Sequence, residues 1–325
     1  MNRLYINNVS FGVCAVVVAI ALLPATAQTY PDKPITVIVP WPPGGSVDLS
    51  ARALTRELSP LLGQNFVLDN RGGAAGSIGS LFGARAAKDG YTLTFGNATS
   101  HATDAVTMPG LSYDPVADFV PISLVHKSTM CLVVAKDTPV TTLKEFFAYA
   151  KANPGLAYGS PGIGAPQHLI GELLNQKAGL SLNHIPYRGG GPVVNDLLGG
   201  HIKVGIGGLS QFLALHERGD VRIVAIADDQ RHAAIPKVPI LSEELNGLSV
   251  SGWGGLYAPH GTESAIVDKL GDAVRKVMAS EDFRKALEAS GLTPAPSTQQ
   301  ELTDLMKNDI ALWRELASKG IRLQE

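Results

Sequence analysis

The sequence predicts an α/β fold in two domains, with mainly parallel sheets flanked by helices. Three observations predict it. Apolar, β-branched runs alternate with helix-patterned segments along most of the 325 residues, as parallel strands and their crossover helices do. Ile122 to Val125 and Cys131 to Ala135 follow each other in quick succession, and Trp253 to Ala258 makes a return run, so the chain crosses between domains twice. Four glycine-rich loops, PPGGSVD (42–48), NRGGAAGSIG (70–79), GSPGIGAPQH (159–168) and YRGGGP (187–192), each stand where a strand-type run gives way to a helix pattern.

The elements follow in order. Ile35 to Pro40 is a buried strand, and after the first loop Leu54, Leu58, Leu61 and Leu62 share one helical face that ends at Gly63, a C-cap residue. Phe66 to Asp69 is the next strand, the second loop opens a helix over Leu81 to Ala87, and the Asp89-Gly90 turn leads into a strand from Tyr91 to Phe95. Beyond the first crossing, Thr141 to Asn153 and Pro166 to Ala178 read as helices around a short strand at Leu156 to Gly159. The runs Leu182 to Pro186, Val193 to Leu198, His201 to Ile206 and Ile223 to Ala227 continue the alternation. After the return, Ile266, Leu270, Val274, Val277 and Met278 make one helix face. Leu302, Leu305, Met306, Asp309, Leu312, Trp313 and Leu316 make another, with Asp309 a polar intruder on its stripe.

Two crossings imply a discontinuous first domain, residues 28–128 with 254–325, enclosing a second at 129–253. A cleft floored by two hinge strands follows. Small-molecule sites concentrate at domain interfaces and beyond the carboxyl ends of parallel strands, where all four loops fall.

Residues 1–27 stand outside the fold. Asn2 and Arg3 make a thin polar start, Val9 to Leu23 is nearly unbroken apolar, and Ala25-Thr26-Ala27 fits a small-x-small cleavage site. An apolar core of about 15 residues is short against the roughly 20 that span a bilayer, so a secretory signal cleaved after Ala27 is favoured over an anchor. Export to the periplasm is the expectation. Cleavage leaves 298 residues, a net charge of −3 in place of −2, and Cys131 as the single cysteine. One thiol excludes an internal disulfide, and its apolar run marks it as a buried structural residue. Lys and Arg are scattered with no basic run, which argues against nucleic acid.

Backbone N–H groups at a helix start, bared by glycine, attract anions. In the first loop Gly44, Gly45 and Ser46 offer such donors, and Asp48 either caps the helix or meets a ligand amine or water. The loop has neither the GxxxxGK[ST] of a Walker loop nor GxGxxG spacing. In the second loop Asn70 can fix the backbone, and Arg71 reads as solvated rather than as a carboxylate fork. Thr99, Ser100 and His101 follow a strand and are either ligand donors or turn caps. In the third, Ser160, Gly162 and Gly164 precede Pro166 at a helix first turn. His168 and Glu172 share a helix face, but further metal ligands at recognisable spacing are missing, so His168 is expected to orient the loop or a water. Tyr187, beside Arg188, is either a flat wall against the ligand or an edge packing residue, and Asp196 starts the next helix.

No GxSxG, HExxH or SxxK motif is present, and no cysteine stands near a plausible base. Binding without catalysis, metal or cofactor is the expectation. A sensor using the same closure is the alternative, and an exported hydrolase or isomerase the remote one.

In order and spacing, YPDKPITVIVPWPPGGSVD, NRGGAAGSIG, AAKDGYTL, YDPVADFVPI, GSPGIGAPQHLIGELL, HIPYRGGGPVVNDLLGGHI and WGGLYAPHGT resemble the Bug family of periplasmic solute-binding proteins, receptors of tripartite tricarboxylate transporters. The resemblance runs over nearly all of the mature chain. It implies a type II periplasmic-binding-protein fold that closes on a small organic carboxylate, working as a monomer with membrane permease subunits as partners. It points to Gly44, Gly45 and Asp48, to Gly73, Ala74 and Gly76, and to Ser160, Gly162, Gly164, His168, Tyr187 and Asp196. Two positions depart from the family pattern: Trp41 stands where a smaller aromatic is frequent, and Ala75 where a glycine is.

Overall fold

The computed structural model describes residues 30–187 and 189–318. The leader, its cleavage after Ala27, and Arg188 lie outside the described residues. Along the chain run β1 (Ile35–Val39), α1 (Ser46–Leu62), β2 (Phe66–Asn70), α2 (Ser77–Ala84), β3 (Thr92–Asn97), α3 (Asp104–Thr107) and β4 (Phe119–Ser128). Next come β5 (Met130–Ala135), α4 (Leu143–Ala152), β6 (Ala157–Ser160), α5 (Pro166–Ala178), β7 (Asn183–Pro186), α6 (Gly190–Leu198), β8 (Val204–Gly208), α7 (Leu209–Glu217) and β9 (Val221–Ile226). The chain then forms β10 (Gly252–Pro259), α8 (Ser264–Met278), α9 (Glu281–Ala289), β11 (Thr293–Pro294) and α10 (Gln299–Ser318).

These strands form two sheets. One has the order β11-β4-β10-β3-β1-β2 and the other β7-β6-β8-β5-β9. Both are mixed rather than mainly parallel: β1 pairs parallel with β2 and β3, and β6 with β7 and β8, but β10 and β5 run antiparallel to each of their main neighbours. The reason is the crossing itself. A strand arriving from the other sheet enters at the edge where the parallel strands end, so it must run the opposite way. The same geometry brings the carboxyl ends of β1, β2, β6 and β7, with their glycine loops, to the edges where the sheets are joined.

Each sheet buries an apolar layer on both faces. Leu54 and Leu58 of α1 pack with Val274 of α8 and Phe283 of α9 on one face of the first sheet, and Phe119, Tyr257, Leu302 and Met306 fill the other. Phe146 and Leu174 cover one face of the second sheet, Val193 and Phe212 the other. Cys131 is buried in that last layer as a free thiol. Gly63 ends α1 in the left-handed conformation at φ 68°, the role its position in the sequence predicts. The helices α7 and α9, nine residues each, have no counterpart among the elements expected from the sequence.

Helix α10 belongs to both halves. Its Leu302, Met306 and Ile310 lie in the first sheet's layer, whereas Trp313 and Leu316 are buried with Leu169 and Leu173 against the second. Among the described residues, no helix is long and apolar enough to cross a membrane.

Candidate ligand site

The loops of each half interlock. In the first, a Cβ on Gly72 would lie 3.1 Å from Pro42 and one on Gly76 3.1 Å from the Trp41 ring, so the first two loops pack closely on each other at these glycines. In the second, Tyr187 N–H donates to the Ser160 carbonyl and Gly189 N–H to that of Pro161, both at 2.9 Å. The halves then meet at Gly164, where a Cβ would stand 3.5 Å from Thr107 Oγ1 and 3.8 Å from Thr103 Cγ2.

The helices that follow these loops start without a side-chain cap. The N-cap residues are Gly45 for α1, Gly76 for α2, Ala165 for α5 and Gly189 for α6. Away from the loops, α4 carries a complete Thr142–Glu145 capping box and α9 a Ser280 cap. An uncapped start leaves the first backbone N–H groups seeking an acceptor. Helices α3, α7 and α8 start without a side-chain cap as well; α8 follows an antiparallel strand and opens at the opposite edge of the sheet, whereas α7 follows β8, parallel to β6, and opens on the loop side.

Gly45 is the decisive position. Its φ of −80° suits any residue, and a Cβ there would meet nothing within 4 Å. Neither conformation nor crowding inside the chain requires glycine, and the open space lies over the bare end of a 17-residue helix. Gly44, Gly45, Ser46, Gly73 and Ala74 are all exposed, while Gly76 is buried under Trp41.

The polar side chains behind the loops are occupied in holding them. Asp48 is buried and accepts from Gly44 N–H, Arg52 Nε and Asn70 Nδ2, each at 2.9 Å. Burial alone would raise its carboxyl, but these donors outweigh it and hold the group below the usual range. Arg71 pairs with Asp69 at 2.8 Å and lies 3.5 Å over the Phe82 ring, so it is spent locally. Ser160 Oγ accepts from Gly162 N–H and lies 2.7 Å from His184 Nε2. His168 Nδ1 accepts from Gly164 N–H at 3.3 Å, and its ring stacks on His184 at 4.1 Å. An accepting Nδ1 puts the proton on Nε2, and burial pushes both histidines down to about 4, so neither is charged near neutrality. The 3.8 Å approach of His168 Nε2 to Glu172 is therefore not an ion pair. Among the described residues, no cluster could hold a metal.

Tyr187 donates to Asp196 at 2.6 Å, and its ring lies close over Gly159, so both residues brace the fourth loop from within. Burial and the bond to Asp196 push the phenol up to about 12.

Ser100 and His101 are not at the loop surface. Both are fully buried, because β3 runs into a π turn, Thr99–Thr103, that rotates their side chains inward. Ser100 Oγ accepts from Asn97 N–H, the turn-capping role, and His101 stacks on Tyr257 at 4.2 Å and packs at a tilt against Phe119 at 4.6 Å. Thr103 of the same turn, which no sequence signal singles out, is buried as well, but its Oγ1 has no partner and it lies beside Gly164 of the other half. His184 is equally illegible in the sequence, since only the β6–β7 pairing sets it opposite Tyr158.

A family model described as "Tripartite tricarboxylate transporter family receptor" matches residues 50–320. The chain belongs to this family. It is 36% identical over 293 residues to Protein BugT of Bordetella pertussis (strain Tohama I), covering 89% of this chain and 90% of that one. Among solved structures, the periplasmic binding protein BugD is 31% identical with TM-score 0.78, over 91% of this chain and 100% of BugD. R. palustris Rpa4515, solved with adipate, is 30% identical with TM-score 0.81 over 91% and 100%. MatC from Rhodopseudomonas palustris, solved with bound malate, is 30% identical with TM-score 0.75 over 88% and 99%. The protein is thus a solute-binding receptor of the tripartite tricarboxylate transporter family, with the two-domain α/β architecture of periplasmic binding proteins.

Proposed function

We propose that this receptor is exported to the periplasm, binds a small organic dicarboxylate or related acid between its glycine loops, and delivers it to the membrane subunits of a tripartite tricarboxylate transporter. Gly45 carries the reading: an unneeded side chain is missing over an uncapped helix start. Two such starts in each half suit a ligand with a carboxylate at either end, as adipate and malate are in the relatives that hold them.

The contacts are backbone N–H groups left without an acceptor at the loops and helix starts: Gly45, Ser46 and Val47, Gly73 and Ala74, Gln167 and His168, and Gly190 and Gly191, with Thr103 added where the halves meet. Asp48, Ser160, His168, Tyr187 and Asp196 position those loops. Such a site avoids burying an arginine, whose desolvation costs several kcal/mol by order of magnitude. Residues 28–128 with 254–325 form one domain and 129–253 the other, hinged near Thr129 and Gly252. The mature chain, freed of residues 1–27, acts as a monomer and carries out no chemistry on its ligand.

Calorimetric titration of a panel of mono-, di- and tricarboxylates tests this. At least one acid is expected to bind with a Kd of roughly 1 μM or tighter, about 8 kcal/mol. Absence of binding across the panel contradicts it, as does conversion of the tightest ligand to a product.

A further inference from the structure

Helix α1 carries the first glycine loop, and Ser50 lies one turn inside its start. Ser50 is fully buried, and its Oγ stands 2.7 Å from Nδ1 of His126, itself 1% exposed. His126 belongs to β4, three residues before Thr129, where the chain leaves the first sheet for β5 of the second. Its neighbour across the sheet is Gly254, two residues after the start of β10, the strand by which the chain returns. The Ser50–His126 bond thus joins one jaw of the site to both crossings.

The return strand makes room for the ring. A Cβ on Gly254 would fall 2.3 Å from His126 Cε1 and 3.0 Å from each ring nitrogen, so the imidazole rests on the β10 backbone where a side chain would exclude it. The β4–β10 register shifts immediately after this pair, between Gly254 and Gly255. On its far side the ring stacks with Phe95 of β3 at 6.1 Å, within the layer that also holds Leu54 and Leu58 of α1. Burial pushes His126 down to about 4, so near neutrality the bond to Ser50 joins two uncharged groups. A satisfied hydrogen bond in such a dry layer fixes orientation, because water does not compete for it. The second half has a counterpart in Ser160 and His184, 2.7 Å apart behind the third loop, but β7, which carries His184, is an edge strand and makes no crossing.

We infer that His126 is a positioning residue of the receptor: through Ser50 it holds the start of α1, with the N–H groups of Gly45 to Val47, fixed to the strands that join the two halves. The inference rests on the reading that this helix start takes one carboxylate of the ligand. With the bond in place the first turns of α1 move as one body with β4 and β10, and the donors meet the ligand already aimed. Without it α1 stays packed through Leu54 and Leu58, but its start has to be ordered by the ligand, and that ordering is subtracted from the affinity.

The test is calorimetric titration of malate and of the straight-chain dicarboxylates from malonate to adipate into the full mature chain and its variants. Ser50→Ala and His126→Leu should each weaken the tightest of these acids about tenfold as preorganisation is lost, and the double variant should be no weaker than either, since both remove one bond. His126→Asn, whose amide branches from Cγ as Nδ1 does and can still bond Ser50, should stay within about threefold of the parent. Should His126→Leu fail to fold, Ser50→Ala and His126→Asn decide. Affinities within about twofold of the parent in Ser50→Ala and His126→Leu, even where their melting temperatures fall, reduce the pair to packing and overturn the inference while the carboxylate site stands. Additive losses in the double variant, or a loss in His126→Asn as large as in Ser50→Ala, overturn it as well. If no acid of the series binds the parent, the inference falls together with the reading beneath it.

Discussion

The indole N–H of Trp253 donates to Asp309 Oδ2 at 2.6 Å, tying the return strand β10 to helix α10. Asp309 looks like a flaw on an apolar stripe until this partner is known. Burial raises its carboxyl, and the indole bond opposes the rise. One turn further on, α10 buries Trp313 against the second sheet's layer, so the bond anchors the helix that spans both halves.

Trp253→Phe should therefore destabilise the fold by about 1.5–3 kcal/mol, the range for a lost hydrogen bond to a buried charged group. Asp309→Asn keeps an accepting oxygen and loses the buried charge, so it should cost less. Urea unfolding of the two variants checks the order. An equal or reversed order would show that the indole bond contributes no stability.

Gly45→Asp sets stability against binding. The new carboxylate caps α1 in open space and at a suitable φ, so the fold should gain about 0.5–1 kcal/mol. The same charge occupies the anion site, and carboxylate affinity should fall at least tenfold by like-charge repulsion, about 1.4 kcal/mol or more. Thermal melts and calorimetry on one preparation read both effects. A variant that binds as tightly as the parent removes the α1 terminus from the site.

Ala75 sits at φ 54°, in the left-handed region that costs a side-chain residue about 1–2 kcal/mol. Ala75→Gly relieves this and gives back part of the gain as unfolded-state entropy, leaving a net stabilisation of about 0.5–1 kcal/mol. A lower melting temperature in the variant would contradict the strain.

Asp104 is buried without a partner for Oδ2, and burial pushes its carboxyl up to about 8. Its folded pKa lies above the unfolded value of 3.8, so the stability it contributes is complete below 3.8 and is lost as pH rises toward 8. His101, His126, His168 and His184 are held down at about 3 to 4, so their contribution is complete above 6.5 and lost as pH falls. Between pH 6.5 and 8 the histidines no longer contribute to the slope, whereas Asp104 does, with the raised carboxyls of Glu172, Asp228 and Asp309 acting in the same direction. The melting temperature of the parent should fall across that window, and that of Asp104→Asn should fall less steeply. Parallel curves would place Asp104 in contact with water or a cation.

What the sequence made legible was local. Period and punctuation marked the β1–α1–β2 unit down to the Gly63 C-cap, and two close apolar runs marked the first crossing. Strand direction was not legible, because β5 and β10 owe theirs to the edge at which they enter a sheet. Nor was the partner of Asp309, which lies 56 residues away. The strand before Ser100 and His101 ends two residues beyond the Phe95 read from the sequence, and a π turn has no sequence signature, so nothing foretold that those side chains turn into the core and that Thr103, buried beside Gly164, keeps an unpartnered hydroxyl.

The most direct measurement is the set of backbone amide shifts on saturation with the tightest-binding dicarboxylate, read by ¹⁵N NMR of the mature chain. Large downfield shifts are expected for the N–H groups of Ser46 and Val47 at the start of α1 and of Gln167 and His168 at the start of α5, in one saturating step. Shifts that leave both helix starts untouched and concentrate elsewhere would contradict the account.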